Sequence, residues 1–290
     1  MRPARARLAR RRQRRRAAMG AAAITAGAAA ILVANVALFD CDCIPFVGGG
    51  RASIEAEAAA VEGGAQEAPT TAAPAPVAPE PNPLLAPPPT VLPELDDTSG
   101  APLVRRVDTT DRVVFITIDD GQVRDPAVLQ HLLELDVPFT SFLTEPLAEA
   151  DPEFWKGTQA AWGMIETHTI RHPNLPEVSA EVQRREICDP ADTFEELFGR
   201  RPTLFRPPYG NSNDSVRRIA KQCGYDAVVH WTGSTNNGVL SMQEGELKPG
   251  DIILMHYRDT LRADLDDVVR RATEEGFTIG RLEDYLSPGR

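Results

Sequence analysis

From Val113 onward, short β-branched and aromatic runs alternate with segments whose apolar residues recur at helical spacing. This alternation constrains the fold more than any other feature. The predicted strands are Val113–Ile118, Val137–Leu143, Trp162–Ile165, Leu204–Phe205, Ala227–Trp231, Ile252–Met255 and Phe277–Ile279. Between them lie helical patterns. "DPAVLQHLLELD" has a proline near its start. "SAEVQRREICDPADTFEELFG" opens at a serine cap and closes at Gly199, and Pro190 is expected to kink or split it. "NDSVRRIAKQCG" and "ADLDDVVRRATEEG" have the same character. Strand–helix alternation of this length predicts an α/β domain on a parallel sheet, open or closed into a barrel.

The residues before this domain are of another kind. "MRPARARLARRRQRRR" carries nine arginines and no acid, and Ala17 to Phe39 contains no charged residue. Such a run is long enough to cross a bilayer, which takes about 20 apolar residues. The basic flank predicts a cytoplasmic N-terminus. A cleaved secretory signal and an uncleaved signal-anchor compete. The anchor is favoured, because the run exceeds a normal signal core and "LFDCDC" is a poor cleavage site. Either way the remainder is expected outside the cytoplasm. The predicted layout is a basic segment 1–16, a transmembrane helix 17–39, a disordered Pro/Ala-rich spacer 40–102 and a folded domain 103–290.

The basic block offsets the few acids of the first third, so the folded part carries the whole net charge of −11. That argues against nucleic acid as a partner. In an exported domain the even pair Cys188 and Cys223 reads as a disulfide, the alternative being two inert buried thiols. Cys41 and Cys43 sit just beyond the apolar run and could bridge to a second chain.

The chemistry-bearing residues fall at C-terminal strand ends. Asp119 and Asp120 follow the first strand, His168 and His172 the third, Arg206 with "PPYG" the fourth, and His256 ends the sixth. In a barrel those ends share one face. One carboxylate and two imidazoles form a common facial set for zinc or another divalent ion. The neighbouring aspartate is then free to act as base toward water. His256 is the natural general acid. Arg206 would orient the free aspartate, and a backbone N–H of the "PPYG" turn would serve an oxyanion. Tyr209 and Trp231 are candidate sugar platforms. His131 reads as structural or exposed, His230 as packing beside the site, Trp155 and Trp162 as core, and the acidic runs "DLDD" and "EE" as solvated helix faces.

"TIDDG", "HTIRH", "RPPYG" and "LMH", in this order, resemble the polysaccharide deacetylases of carbohydrate esterase family 4, over about Arg112 to Leu286. The resemblance implies a distorted (β/α) barrel of about seven parallel strands and a divalent metal, zinc foremost and cobalt as an alternative. It implies removal of acetyl groups from N-acetylglucosamine polymers or acetylated xylan. By position, Asp119 would be the base, and Asp120, His168 and His172 the metal ligands. Arg206 would pair with Asp119, the Tyr209 N–H would serve the oxyanion, and His256 would be the acid. Leu254 would line the acetyl pocket, with Trp231 beside it. Two departures stand out: Ile118 replaces the family's usual aromatic, and Asn237 with Gly238 stand where many members have Asp-Trp. Asp259 is a candidate replacement for the missing carboxylate. The expected function is N-deacetylation of an extracytoplasmic glycan of the peptidoglycan or chitin type. The alternatives are a glycan-binding protein on this scaffold and an O-acetyl esterase.

Overall fold

The computed structural model of the chain describes residues 82–89 and 100–287. The strands are β1 (Leu103–Val104), β2 (Val113–Asp120), β3 (Phe139–Leu143), β4 (Gly163–Thr167), β5 (Leu204–Phe205), β6 (Ala227–Val229), β7 (Gly233–Asn236), β8 (Val239–Met242), β9 (Ile252–His256) and β10 (Thr278–Ile279). The helices are α1 (Pro126–Leu135), α2 (Glu145–Ala150), α3 (Pro152–Ala160), α4 (Ala180–Phe198), α5 (Asp214–Gln222), α6 (Leu261–Glu274) and α7 (Leu282–Leu286). The strands form one curled sheet in the order β1-β6-β5-β4-β3-β2-β9-β7-β8, with β10 beside β2. Every ladder is parallel except the β7–β8 hairpin.

β2 lies at the centre and is buried along its whole length. Its alternate residues serve two cores. Val114, Ile116 and Ile118 pack outward with the helices, while Val113 and Phe115 pack inward with Phe142, Leu204, Val229 and Tyr285. The sheet curls around that inner core, but no ladder among the described residues closes it into a full barrel. The gap is narrowed instead by the segment after β1. Arg106 forms an isolated bridge to Asp251, and the Val107 N–H donates to the Gly250 carbonyl at 2.9 Å. Gly250 is left-handed (φ 82°), and a Cβ there would lie 1.9 Å from the Val107 oxygen, so only glycine fits.

Several expectations require correction. α4 runs unbroken through Pro190, which is buried beside Ile187, Ala191 and Phe194. Tertiary packing there outweighs one missing backbone donor. The expected disulfide joins Cys188 of α4 to Cys223 just past α5, with Cα atoms 5.2 Å apart. Trp155 is sealed in the core, but Trp162 is a left-handed turn residue (φ 65°) and 43% exposed. Its indole N–H donates to Asp136 at 2.7 Å. The spacer is not wholly apart from the domain. Leu85 pairs with Ile279, the Asn82 amide donates to the carbonyls of Leu135 and Asp136, and Ala101 is fully buried. Extended proline-rich backbone keeps its polar groups unpaired, so it can lie along a strand edge.

The β7–β8 hairpin was not foreseen. Asn237 and Gly238 form its two-residue turn, both left-handed (φ 52° and 76°), as Asn-Gly turns require. The "DLDD" run is correspondingly not a solvated face. Asp264 is buried and accepts the Gly238 N–H at 2.7 Å, and Asp267 accepts that of Leu240 at 2.8 Å. No helix among the described residues is long and apolar enough to cross a membrane. The segment read as an anchor, residues 17–39, lies outside the described residues, as do Cys41 and Cys43.

Candidate active site

The C-terminal ends of β2, β4, β5 and β9 bring the predicted residues together. Thr117 and Asp119 alternate onto the inner face of β2, and Asp119 lies directly opposite His256 in the β2–β9 ladder. Simple alternation would send Asp120 outward. Its left-handed backbone (φ 76°) turns the carboxylate toward the two histidines of the loop after β4. Non-glycine residues in this region are strained by about 1–3 kcal/mol and cluster at functional sites. Asp120 Oδ1 stands 3.6 Å from His168 Nε2 and 3.5 Å from His172 Nε2.

His168 is 2% exposed, and its Nδ1 donates to the Arg206 carbonyl at 2.7 Å. That bond fixes the proton on Nδ1 and leaves the Nε2 lone pair facing Asp120. Burial pulls the His168 pKa below its ordinary value, His172 adds to this, and Asp119 and Asp120 oppose it. A neutral imidazole is the state that binds metal. Donors about 2.1 Å from an ion at tetrahedral angles stand ~3.4 Å apart. The observed separations match that spacing, and the three ligand atoms all lie within 4.8 Å of one another. Asp120, His168 and His172 therefore fit a divalent ion.

Arg206 is fully buried and spends its guanidinium on four groups. It donates to Asp119 Oδ1 at 2.7 Å and to Thr117 Oγ1 at 2.8 Å. It also donates to the carbonyls of Val229 and His230 at 3.3 and 3.1 Å. Thr117 passes the chain on to the Ile253 carbonyl at 2.7 Å. The guanidinium carbon lies 4.2 Å above the Phe142 ring and 5.6 Å from Trp231. One Asp119 oxygen is thus fixed, and the other lies 3.8 Å from His168 Nε2. Asp119 and Asp120 share His168 as a neighbour and differ in the rest, Arg206 holding Asp119 and His172 facing Asp120.

Tyr209 has φ 61° and is 63% exposed, its ring meeting that of His172 edge-on at 4.7 Å between centroids. Trp231 packs over Gly210, where a Cβ would come within 2.8 Å of its ring. Leu254 is buried on β9 opposite Thr117. His230 is buried with an unpartnered Nε2, and burial with Arg105 and Arg206 pulls its pKa down to about 4. It is neutral packing beside the site. His131 is structural: it bridges α1 to α6 through Asp266 at 2.8 Å.

His256 sits at the rim. Burial lowers its pKa, Asp119 and Asp120 oppose this, and Arg258 and Arg206 reinforce it. Beyond it a cavity of ≈ 180 Å³ is lined by Asn236, Asn237, Arg258, Asp259 and Thr260. Asp259 shares that cavity, but among the described residues no carboxylate forms an ion pair with His256. The expected replacement partner is therefore not in place. The hydroxyl of Thr117, the Arg206 carbonyl and the Glu186 carboxylate behind the histidine loop were all missed from sequence. Only Thr117 carried a signal, a polar residue two positions before Asp119 on the same strand face.

Residues 106–228 match the sequence profile of the polysaccharide deacetylase family. An uncharacterized protein of Streptomyces coelicolor is 34% identical over 192 residues, covering 64% of this chain and 77% of that protein. A peptidoglycan-N-acetylglucosamine deacetylase of Bacillus cereus is 29% identical over 194 residues, covering 62% of this chain and 91% of the enzyme. In fold, the chain resembles a family 4 carbohydrate esterase pseudoenzyme of Bacillus anthracis. The TM-score is 0.58 at 23% identity, over 65% of this chain and 70% of that one.

Proposed function

The chain belongs to the polysaccharide deacetylase family, and from that premise we propose that it is a metal-dependent N-deacetylase of an extracytoplasmic, N-acetylglucosamine-containing glycan of the peptidoglycan type. The observation that carries this is the union, at one strand-end face, of the Asp120–His168–His172 set with an Asp119 carboxylate held by buried Arg206. A bound divalent ion would lower the pKa of water and polarise the acetyl carbonyl. Zinc suits the one-carboxylate, two-imidazole donor set, and cobalt could replace it.

The chain's own residues supply the rest. Asp119 takes the proton from the attacking water, in an orientation set by Arg206. The Tyr209 N–H faces the developing oxyanion, Leu254 receives the acetyl methyl group, and His256 hands a proton to the leaving nitrogen. The exposed Tyr209 ring and the Trp231 edge offer flat surfaces for sugar rings. The Bacillus cereus relative's activity supports peptidoglycan as the substrate class. The nine-arginine block, the apolar run 17–39 and the disulfide support a membrane-held enzyme with its domain outside the cytoplasm.

The test is acetate release by the full chain across acetylated glucosamine oligomers, peptidoglycan and acetylated xylan, with and without chelator. Chelator-sensitive release from the amide substrates is expected. One observation favours a second reading, a glycan binder with weak turnover: among the described residues no carboxylate forms an ion pair with His256. Sugar binding without acetate release at any zinc concentration would establish that reading in place of the first.

A further inference from the structure

The two histidines of "HTIRH" are held in different ways. His168 is locked by the sheet: its N–H donates to the Leu143 carbonyl at 2.9 Å and its Nδ1 to Arg206. His172 lies at the end of a turn in which Thr169 (φ 69°) and His172 itself (φ 57°) are both left-handed. Its side chain is 31% exposed, and its ring meets His168 at 4.8 Å and Tyr209 at 4.7 Å edge-on, with Asp120 Oδ1 3.5 Å from Nε2. The position of its Nε2 therefore depends on the backbone of the turn.

That backbone is gripped from behind by one side chain. Glu186 of α4 is 1% exposed. Its Oε2 accepts the N–H of Ile170 at 3.0 Å and of Arg171 at 2.8 Å, and its Oε1 accepts Arg171 Nε at 2.9 Å. The Thr169 hydroxyl adds one bond inside the turn, accepting the His172 N–H at 3.0 Å. A buried carboxylate taking two consecutive amides is a strong anchor, since bonds to a charged acceptor are roughly twice as strong as neutral ones. The helix that carries it is itself tied down, because Cys188 lies two residues further on and is bonded to Cys223.

We infer that Glu186 is a positioning residue for the metal ligand His172, acting through the backbone of Ile170 and Arg171. This rests on the proposed metal centre. Glu186→Gln keeps the shape but replaces the charged acceptor with a neutral amide, one end of which is itself a donor. Zinc affinity of the full chain, measured by chelator competition, is expected to fall about 10–100-fold, the usual cost of losing a partner behind a ligand. His172→Ala sets the floor. Because Glu186 acts through His172, the double variant should bind zinc no more weakly than His172→Ala alone. Hydrogen exchange on the unsubstituted, metal-free chain is a second arm that does not depend on a variant folding. The Ile170 and Arg171 amides should exchange slowly.

Wild-type affinity in a folded Glu186→Gln variant, additive losses in the double variant, or fast exchange at both amides would each overturn the inference. A wild-type chain that binds no zinc overturns the metal centre itself and this inference with it. Tight binding by both wild type and Glu186→Gln overturns the inference alone.

Discussion

Two places inside the curled sheet hold the same ingredients, a pair of carboxylates and an arginine. At the strand ends are Asp119 and Asp120 with Arg206; deeper down are Glu166 and Glu283 with Arg200. In the lower cluster Glu166 has both oxygens spoken for, while Glu283 keeps one buried oxygen, Oε2, without a hydrogen-bond partner. Glu166 pairs with Arg200 and accepts the N–H groups of Thr203 and Leu204, both at 2.8 Å. Glu283 takes the Thr140 hydroxyl at 2.8 Å, and its carboxyl is pushed up to about 8, first by burial and then by the neighbouring Glu166 charge. Burial pushes the Glu166 carboxyl up as well, opposed by Arg200 and the two amides, so Glu166 is the hydrogen-bonded acid of the pair and Glu283 the one kept neutral. In the upper cluster Arg206 occupies one oxygen of Asp119, while Asp120 and two imidazole nitrogens converge on a shared space. Acid pairs are therefore not sites by virtue of being buried together. What separates the two clusters is the donor capacity left over and whether anything can reach it.

The comparison can be broken most sharply at Asp119. Asp119→Asn should lower acetate release by about 10²–10⁴-fold, the usual worth of a positioned acid or base. Zinc content should stay unchanged, since Asp120 and the histidines remain. Retained activity would remove Asp119 from the role of base. The lower cluster should respond in stability and not in chemistry. Glu166→Gln leaves the partly buried Arg200 without its nearest counter-charge and should cost about 1–3 kcal/mol. Denaturant titration measures that loss, and zinc affinity of the folded variant should match the wild type. A drop in zinc affinity would show that the two clusters are coupled.

The smallest effect is a pH dependence at Glu283. Its carboxyl has a raised pKa in the fold, so between its ordinary value and about 8 the folded chain binds more protons than the unfolded one. Stability should therefore be greatest below that window and fall as pH rises through it. Glu283→Gln, which keeps an acceptor for Thr140, should flatten the melting temperature between pH 5 and pH 9. An unchanged slope would mean that Glu283 is not the titrating group.

Much of the active site was legible because its groups lie in short motifs at strand ends. The period-two pattern of β2 placed Asp119, and the His-x-x-x-His spacing flagged His168 and His172. The Asn-Gly pair was legible too, but as turn chemistry. Residues 237 and 238 stand where they do because a two-residue hairpin turn needs left-handed backbone. Pro190 and Trp162 went the other way. A proline stayed inside a helix and a tryptophan stayed out of the core, because packing and a single hydrogen bond decided each.

The sequence by itself determined the strand–helix alternation and which carboxylates and imidazoles fall at strand ends as candidate metal ligands and base. These depend on local periods and on side-chain chemistry, which a linear chain carries. Only the tertiary structure decided which lone pair His168 presents, how the backbone at Asp120 turns, and that Glu186 grips the His172 loop. It likewise decided that Glu166 and Glu283 meet in a closed interior while Asp119 and Asp120 meet at an open one. The physical reason is that each of these depends on groups far apart in the chain. Their distances are set by how the sheet curls and which helix packs behind it, and no local period encodes that.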